Sequence, residues 1–334
     1  MGTLNRPQHV SVTDLLGGGP GAAPAVLGEG SIYERLRRHP GVPFDRSVGT
    51  GALVCDARCR DLLAAVHRGY LQVGLDHGLP VLLQTDTWRA SGTRIAATAW
   101  SGSDLNRANV ELVQSIAAEG RAKGGTVIVG GLVGPAGDAY APAGALTRTE
   151  ARAYHAEQAE ALAAAGVDLL IAATLPALAE ALGIAEALTA TGLPTLISFV
   201  VRPTGALLDE TPLSDAVAAV LGLVDPPPAG FLLNCVHPRV ADAALVASPR
   251  AVHHVLGLLA NTSARSPEEL DGLEVLETAD PEPFAREIVD VAGTHGLSLL
   301  GGCCGTGDEH IDALARALAG SAQAGDRPVV ERPG

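Results

Sequence analysis

The sequence predicts a single-domain (β/α)8 TIM barrel, and three observations predict it. Short apolar runs recur along the chain, each followed by a stretch in which apolar residues fall at helical spacing, and eight such runs can be counted. The chain has 334 residues and is 47% hydrophobic, enough for a barrel of roughly 250 residues with insertions. Three of its five cysteines fall at the C-terminal ends of those runs, the edge where barrels of this kind carry their chemistry. A doubly wound sheet is the alternative if two runs are over-counted. It lacks a phosphate-cradling turn, because Gly28-x-Gly30 leads into Ser31 and a loop rather than a helix start.

Residues 1–24 end in Gly17-Gly18-Gly19-Pro20-Gly21 and lack hydrophobic periodicity, so they read as a flexible leader. The barrel domain spans 25–320, and 321–334 read as a polar tail. Ala25-Val26-Leu27 is the first strand, followed by a long connection with Pro40, Pro43 and Gly49. From Asp56 to His77 the apolar positions Leu62, Leu63, Val66, Tyr70, Leu71 and Val73 predict a helix, stopped by Gly78 and Pro80. Val81-Leu82-Leu83-Gln84-Thr85 is continuous and apolar, as a strand buried on both faces should be. Later runs begin at Val127, Leu169, Leu196, Phe231, Val255 and Leu297. They alternate with helices predicted over 150–165, 178–188, 212–224, 281–295 and 309–318.

Composition excludes several functions. A net charge of −14 and no long basic cluster argue against nucleic acid; Arg35, Arg37 and Arg38 read as a solvated helix face. No run is long enough to span a membrane, and the scattered, odd number of cysteines does not make a disulfide framework, so reduced thiols in a soluble cytoplasmic protein are expected. Lys123 is the only lysine and sits in a polar stretch, which speaks against Schiff-base chemistry. Whether identical copies associate into a homo-oligomer is left open.

At the predicted strand ends stand Glu29, Thr85-Asp86, Gly134-Pro135, Ala173-Thr174, Arg202, Asn234-Cys235, Asn261 and Cys303-Cys304. Strands six and eight have one neighbour between them, so Cys235, Cys303 and Cys304 can converge on one ion. Three thiolates are a soft, negative donor set that favours Zn2+ and leaves one tetrahedral position open. Gly302 and Gly305 would let the backbone turn so that both neighbouring thiols face the ion. Cys55 and Cys59, spaced for one helix face without a third partner, read as inert thiols.

Asn234-Cys235 together with Gly301-Gly302-Cys303-Cys304 resembles the homocysteine S-methyltransferase family, zinc-dependent barrels that include the betaine–homocysteine and S-methylmethionine–homocysteine methyltransferases. The likeness runs from about Val26 to Leu318. It takes in His67 and Tyr70, the segment Thr85-Asp86-Thr87-Trp88-Arg89-Ala90-Ser91, Val133-Gly134-Pro135, Thr174-Leu175-Pro176, Ser198-Phe199, Asp209-Glu210-Thr211-Pro212-Leu213 and Asn261. It implies zinc held by Cys235, Cys303 and Cys304, an acceptor thiol bound as fourth ligand, and attack of its thiolate on an activated methyl group. Homocysteine is the family's acceptor; the donor is a sulfonium or a quaternary amine. Glu29, Thr85, Asp86, Thr174, Asn234 and Asn261 are the implied substrate-binding residues.

Two departures stand out. The resemblance implies an Asp-Gly pair after strand one and a Glu before the Thr of strand four, both holding the acceptor's amino group, where this chain has Gly28-Glu29 and Ala173. Glu29 and Asp86 are the candidate replacements. Without one, a buried ammonium lacks its carboxylate at a cost of several kcal/mol. A different small thiol as acceptor, and a non-catalytic zinc-binding barrel, are therefore the alternative expectations. A redox role for Cys303-Cys304 is disfavoured by the strain of a disulfide between adjacent residues.

Overall fold

The computed structural model describes residues 25–266, 269 and 277–323. The expected leader, and the expected tail beyond residue 323, lie outside the described residues. The last helix, Asp308–Gln323, runs on past residue 320, where the tail was expected to begin.

Eight strands are present among the described residues: β1 (Val26–Gly28), β2 (Val81–Gln84), β3 (Val127–Val133), β4 (Leu169–Leu175), β5 (Thr195–Phe199), β6 (Gly230–Val236), β7 (Val255–Ala260) and β8 (Leu299–Gly302). They form a closed barrel in sequence order, all parallel, sealed where Val26 pairs with Leu299 and Leu27 with Leu300. Side-chain alternation divides each strand between two cores. Val26, Leu82, Ile128, Leu169, Ile171, Leu196, Leu232 and Leu299 fill the barrel interior, while Leu27, Leu83, Val129, Leu170, Ile197, Leu233 and Leu300 pack outward against the helices. Continuous apolar runs are what such double burial requires.

β3 is longer than its apolar run Val127-Ile128-Val129 predicted, because Gly130 and Gly131 continue the strand. Each glycine makes room for a neighbour. A Cβ at Gly130 would lie 3.1 Å from Ile171, and one at Gly131 would lie 2.9 Å from Leu170.

The helix after β1, Ala57–Asp76, is capped by Asp56, whose carboxylate accepts the Cys59 N–H at 2.9 Å. Cys55 closes the 3-10 turn Thr50–Cys55 that precedes it, so Cys55 and Cys59 do not share a helix face as their spacing suggested. The helix Arg148–Ala165 starts two residues ahead of the predicted position because Thr147 and Glu150 form a capping box, and left-handed Gly166 ends it. Helices Leu105–Ala122, Leu178–Thr189, Leu213–Leu223, Pro238–Ala247 and Pro281–His295 fill the other intervals. No described helix is long and apolar enough to cross a membrane. Lys123 is exposed, as its polar surroundings implied.

Three long connections stand above the C-terminal ends of β1, β2 and β3. The short helix Tyr33–Arg37, in the first, brings Tyr33 against Phe44 at 5.1 Å and against Trp88 of the second at 5.7 Å. The loop after β1 thus packs onto the mouth of the barrel. Arg35 of this helix pairs with Asp308, while Arg37 and Arg38 pair with Glu34.

Candidate metal centre

Cys235 is the next-to-last residue of β6, Cys303 and Cys304 follow β8 directly, and β7 lies between. The end of β7 fixes the cysteine pair. Cys303 N–H donates to the Ala260 carbonyl at 2.7 Å, Thr262 N–H to the Cys304 carbonyl at 3.2 Å, and Cys304 N–H to Asn261 Oδ1 at 3.0 Å. The three sulfur atoms lie within 4.8 Å of one another, with Cys235 and Cys303 at 2.6 Å.

Strict alternation would not bring Cys235 there. With Leu232 inward, Asn234 follows inward and Cys235 would turn outward. Cys235 instead adopts φ +55°, and the β6–β7 register slips between Asn234 and Val236. Thr174 does the same on β4, at φ +66°, where the register with β5 slips between Ala172 and Leu175. A β-branched residue in the left-handed region is strained, and such strain collects at functional sites. Asn234 binds the two kinks together. Its Oδ1 accepts from Thr174 N–H (2.9 Å) and Ser198 Oγ (2.7 Å), and its Nδ2 donates to Thr174 Oγ1 (2.8 Å). The Thr174 hydroxyl helps lower the Cys235 pKa.

The glycine frame acts differently at its two ends. Gly305 has φ +86°, as expected of a left-handed turn, but Gly302 does not. Gly302 is constrained by space, since a Cβ there would lie 2.3 Å from Thr306 Oγ1. That hydroxyl donates to the Cys303 carbonyl at 2.7 Å and accepts the Ser31 N–H at 3.0 Å, joining the cysteine turn to the β1 loop.

Tyr140, in the loop after β3, packs against the core cluster that contains Cys235 and lies within electrostatic range of all three thiols. Sequence reasoning missed it, because nothing in the spacing links a loop tyrosine to a cysteine on β6. Burial and then the nearby thiols hold its pKa well above the ordinary value, so it stays a neutral phenol. The thiols themselves divide. Hydrogen bonds from Cys303 and Cys304 hold Cys235 well below the usual thiol range, whereas Cys303 and Cys304 are pushed well above it, first by their interaction with Cys235. By itself the cluster carries one thiolate readily and resists the next. A bound cation is what would let all three ionise, and a donor set of sulfur alone selects a soft metal over magnesium or calcium.

The remaining expected residues are committed elsewhere. Glu29 and Asp86 flank His67, Glu29 Oε1 at 2.7 Å from Nδ1 and Asp86 Oδ2 at 2.9 Å from Nε2, and all three are buried. Glu29 Oε2 accepts the Gln84 N–H at 2.7 Å. Since His67 belongs to the surrounding helix Ala57–Asp76, both carboxylates reach toward that helix as partners of a buried imidazole. Burial alone would lower the His67 pKa, but the two carboxylates raise it to about 10. Thr85 is also engaged, accepting Leu132 N–H at 3.0 Å and bonding Thr87 Oγ1 at 2.7 Å. Ala173 lines the barrel interior with no acid in its place.

Comparison with known proteins adds a lineage to this geometry. The sequence profile of the homocysteine S-methyltransferase family matches residues 26–318. The homocysteine S-methyltransferase of Escherichia coli (strain K12) is 34% identical over 200 residues, which is 57% of this chain and 62% of that protein. Betaine–homocysteine S-methyltransferase 1 of Bos taurus is 28% identical over 276 residues, 76% of this chain and 63% of that protein. The matched stretches therefore span less than two thirds of either relative. Among solved structures, the metallated form of the Escherichia coli homocysteine methyltransferase MmuM superposes with a TM-score of 0.69 at 25% identity, covering 88% of this chain and 96% of that one.

Proposed function

The chain belongs to the homocysteine S-methyltransferase family, and from that premise we propose that it is a zinc-dependent thiol methyltransferase, with homocysteine as the first acceptor to test and a sulfonium or quaternary amine as donor. The observation that carries this reading is the convergence of Cys235, Cys303 and Cys304 from two separated strands onto one point. Zinc held by these three sulfurs would supply the charge that lets an acceptor thiol ionise at neutral pH while keeping its nucleophilicity.

The protein's own groups supply the rest. Asn234 and Thr174 fix the kinks beside Cys235, Asn261 orients Cys304, and Tyr140 stands near the thiols as a neutral phenol. Beneath them the barrel interior is apolar. In the transfer a bond from the donor heteroatom to methyl carbon breaks as a sulfur–carbon bond forms, and the proton lost is the one the thiol released on binding. No further general base is required. Three free thiols also suit a reducing cytoplasmic setting.

A second acceptor class is favoured by one observation. Glu29 and Asp86 are spent on His67, and Ala173 and Gly28 offer no carboxylate, so a thiol without an ammonium group fits the site without leaving a buried charge unpaired. Incubation with a panel of thiols and methyl donors, read by mass, separates these outcomes. Methylated homocysteine supports the family acceptor, and methylation confined to amine-free thiols supports the second class. A metal-bound protein that methylates nothing across the panel would leave a binding protein in place of the enzyme.

A further inference from the structure

The segment that follows β2 contains a cation with no hydrogen-bonding partner among the described residues. Arg89 is half-buried, its Nε is sealed from water with no hydrogen-bond acceptor, and among the described residues no carboxylate or carbonyl pairs with its guanidinium. Its one defined contact is with the ring of Trp88, 5.6 Å from Cζ to the centroid. Nearby Arg94 offers no relief. That guanidinium is itself cationic, and it is occupied by the carbonyls of Ser47 at 3.2 Å and Ala136 at 2.5 Å. Burial first, and Arg94 second, push the Arg89 pKa down. Asp138, the acid in range, accepts the Tyr140 N–H at 2.9 Å rather than closing on Arg89.

The location is equally specific. Trp88 packs on the barrel interior, donates from Nε1 to the Ala173 carbonyl at 3.1 Å, and accepts the Gly134 N–H at 2.9 Å through its own carbonyl. Arg89 therefore lies at the C-terminal mouth, within range of Tyr33 from the β1 loop and Asp138 from the β3 loop. That β3 loop also carries Tyr140, which packs against the cluster that contains Cys235. A sealed guanidinium N–H without an acceptor costs free energy that a folded protein normally avoids, and the planar fork matches a carboxylate in two parallel hydrogen bonds. An unpaired cation here would also repel a sulfonium or quaternary ammonium, unless the same molecule or its co-reactant brings a negative charge.

We propose that Arg89 is a specificity-determining residue that binds the carboxylate of one of the two reactants at the barrel mouth. The proposal rests on the methyltransferase reading for its choice of ligands, but its test does not require turnover. The carboxylate can belong to the acceptor or to the donor. Two probe pairs distinguish these sources: homocysteine against 3-amino-1-propanethiol, which lacks only the carboxylate, and S-methylmethionine against its carboxamide.

Calorimetric binding to the metal-loaded full chain is compared for the wild type, Arg89→Gln and Arg89→Lys, with circular dichroism confirming that each is folded. In the wild type the carboxylate member of one pair binds about 10- to 100-fold more tightly than its analogue. Arg89→Gln brings that ratio near one without weakening the carboxylate-free probe, and Arg89→Lys keeps part of it. The pair that responds identifies the source. A wild-type ratio near one for both pairs, a ratio that survives Arg89→Gln, or no binding of any probe by the wild type each overturns the proposal. Absence of methyl transfer with the binding ratios intact counts against the enzymatic reading alone.

Discussion

His67 concentrates the residue-scale energetics. The two buried carboxylates on either side of His67 favour its protonated form, while burial raises the pKa of Glu29. His67→Asn leaves both acids facing a neutral side chain, and an expected loss of about 3–5 kcal/mol should be read in urea unfolding. The sign of the pH effect follows from the raised pKa. Unfolded, the group releases its proton near its ordinary 6.5; folded, it keeps it to about 10. Its stabilisation is thus complete below about pH 6.5 and lost as pH rises through about 10. Wild-type stability should fall across that window and His67→Asn should fall less; equal slopes would contradict the assignment. Tyr140→Phe makes a separate residue-scale prediction. Removing the neutral phenol hydroxyl beside the proposed metal-binding thiols should weaken metal affinity by about 10- to 100-fold in a competition with a chromogenic chelator, with no change in melting of the chelated protein.

Between residue and whole chain, the kinked strand ends are the elements on which the site depends. β4 and β6 each spend a left-handed non-glycine residue, Thr174 and Cys235, to turn side chains that ordinary alternation would send the other way. Asn234 is their tie, so Asn234→Ala should weaken metal binding by about 10- to 100-fold, although Asn234 is not itself one of the three thiols. Unchanged affinity would mean that the kinks hold themselves. Gly302→Ala tests the turn on β8. Its new methyl meets Thr306, and overpacking of this kind costs about 1–3 kcal/mol, with loosening of the Cys303-Cys304 turn seen as faster thiol labelling in the metal-free protein.

This scale is also where sequence reading was strongest and weakest. The strands were legible because burial on both faces writes itself as an uninterrupted apolar run, and the thiols because they ended two of those runs. Gly302 was assigned a dihedral role when its role is steric, since only coordinates reveal how near Thr306 stands. The pairing of Glu29 and Asp86 with His67 has no signal in the sequence, because a position after a strand does not say which side of the barrel the side chain takes. Tyr140 and Arg89 carried no periodic signal. Their importance comes from loops folding back over the mouth.

At the scale of the whole molecule, the closed barrel is stable for reasons separate from the centre. Two apolar cores, one inside the strands and one between strands and helices, need no metal. Chelation should therefore lower the melting temperature without unfolding the chain, by the binding free energy alone: about 4 kcal/mol when free metal is about a thousand times its Kd. A chain that unfolds on chelation would assign the thiols a structural role instead. The central claim is that Cys235, Cys303 and Cys304 together hold one metal ion, and elemental analysis of the purified protein beside Cys235→Ala, Cys303→Ala and Cys304→Ala tests it most directly. The account predicts one zinc per wild-type chain and loss of that zinc in each folded variant; a wild-type protein without zinc, or a Cys235→Ala variant that retains it, would contradict the account.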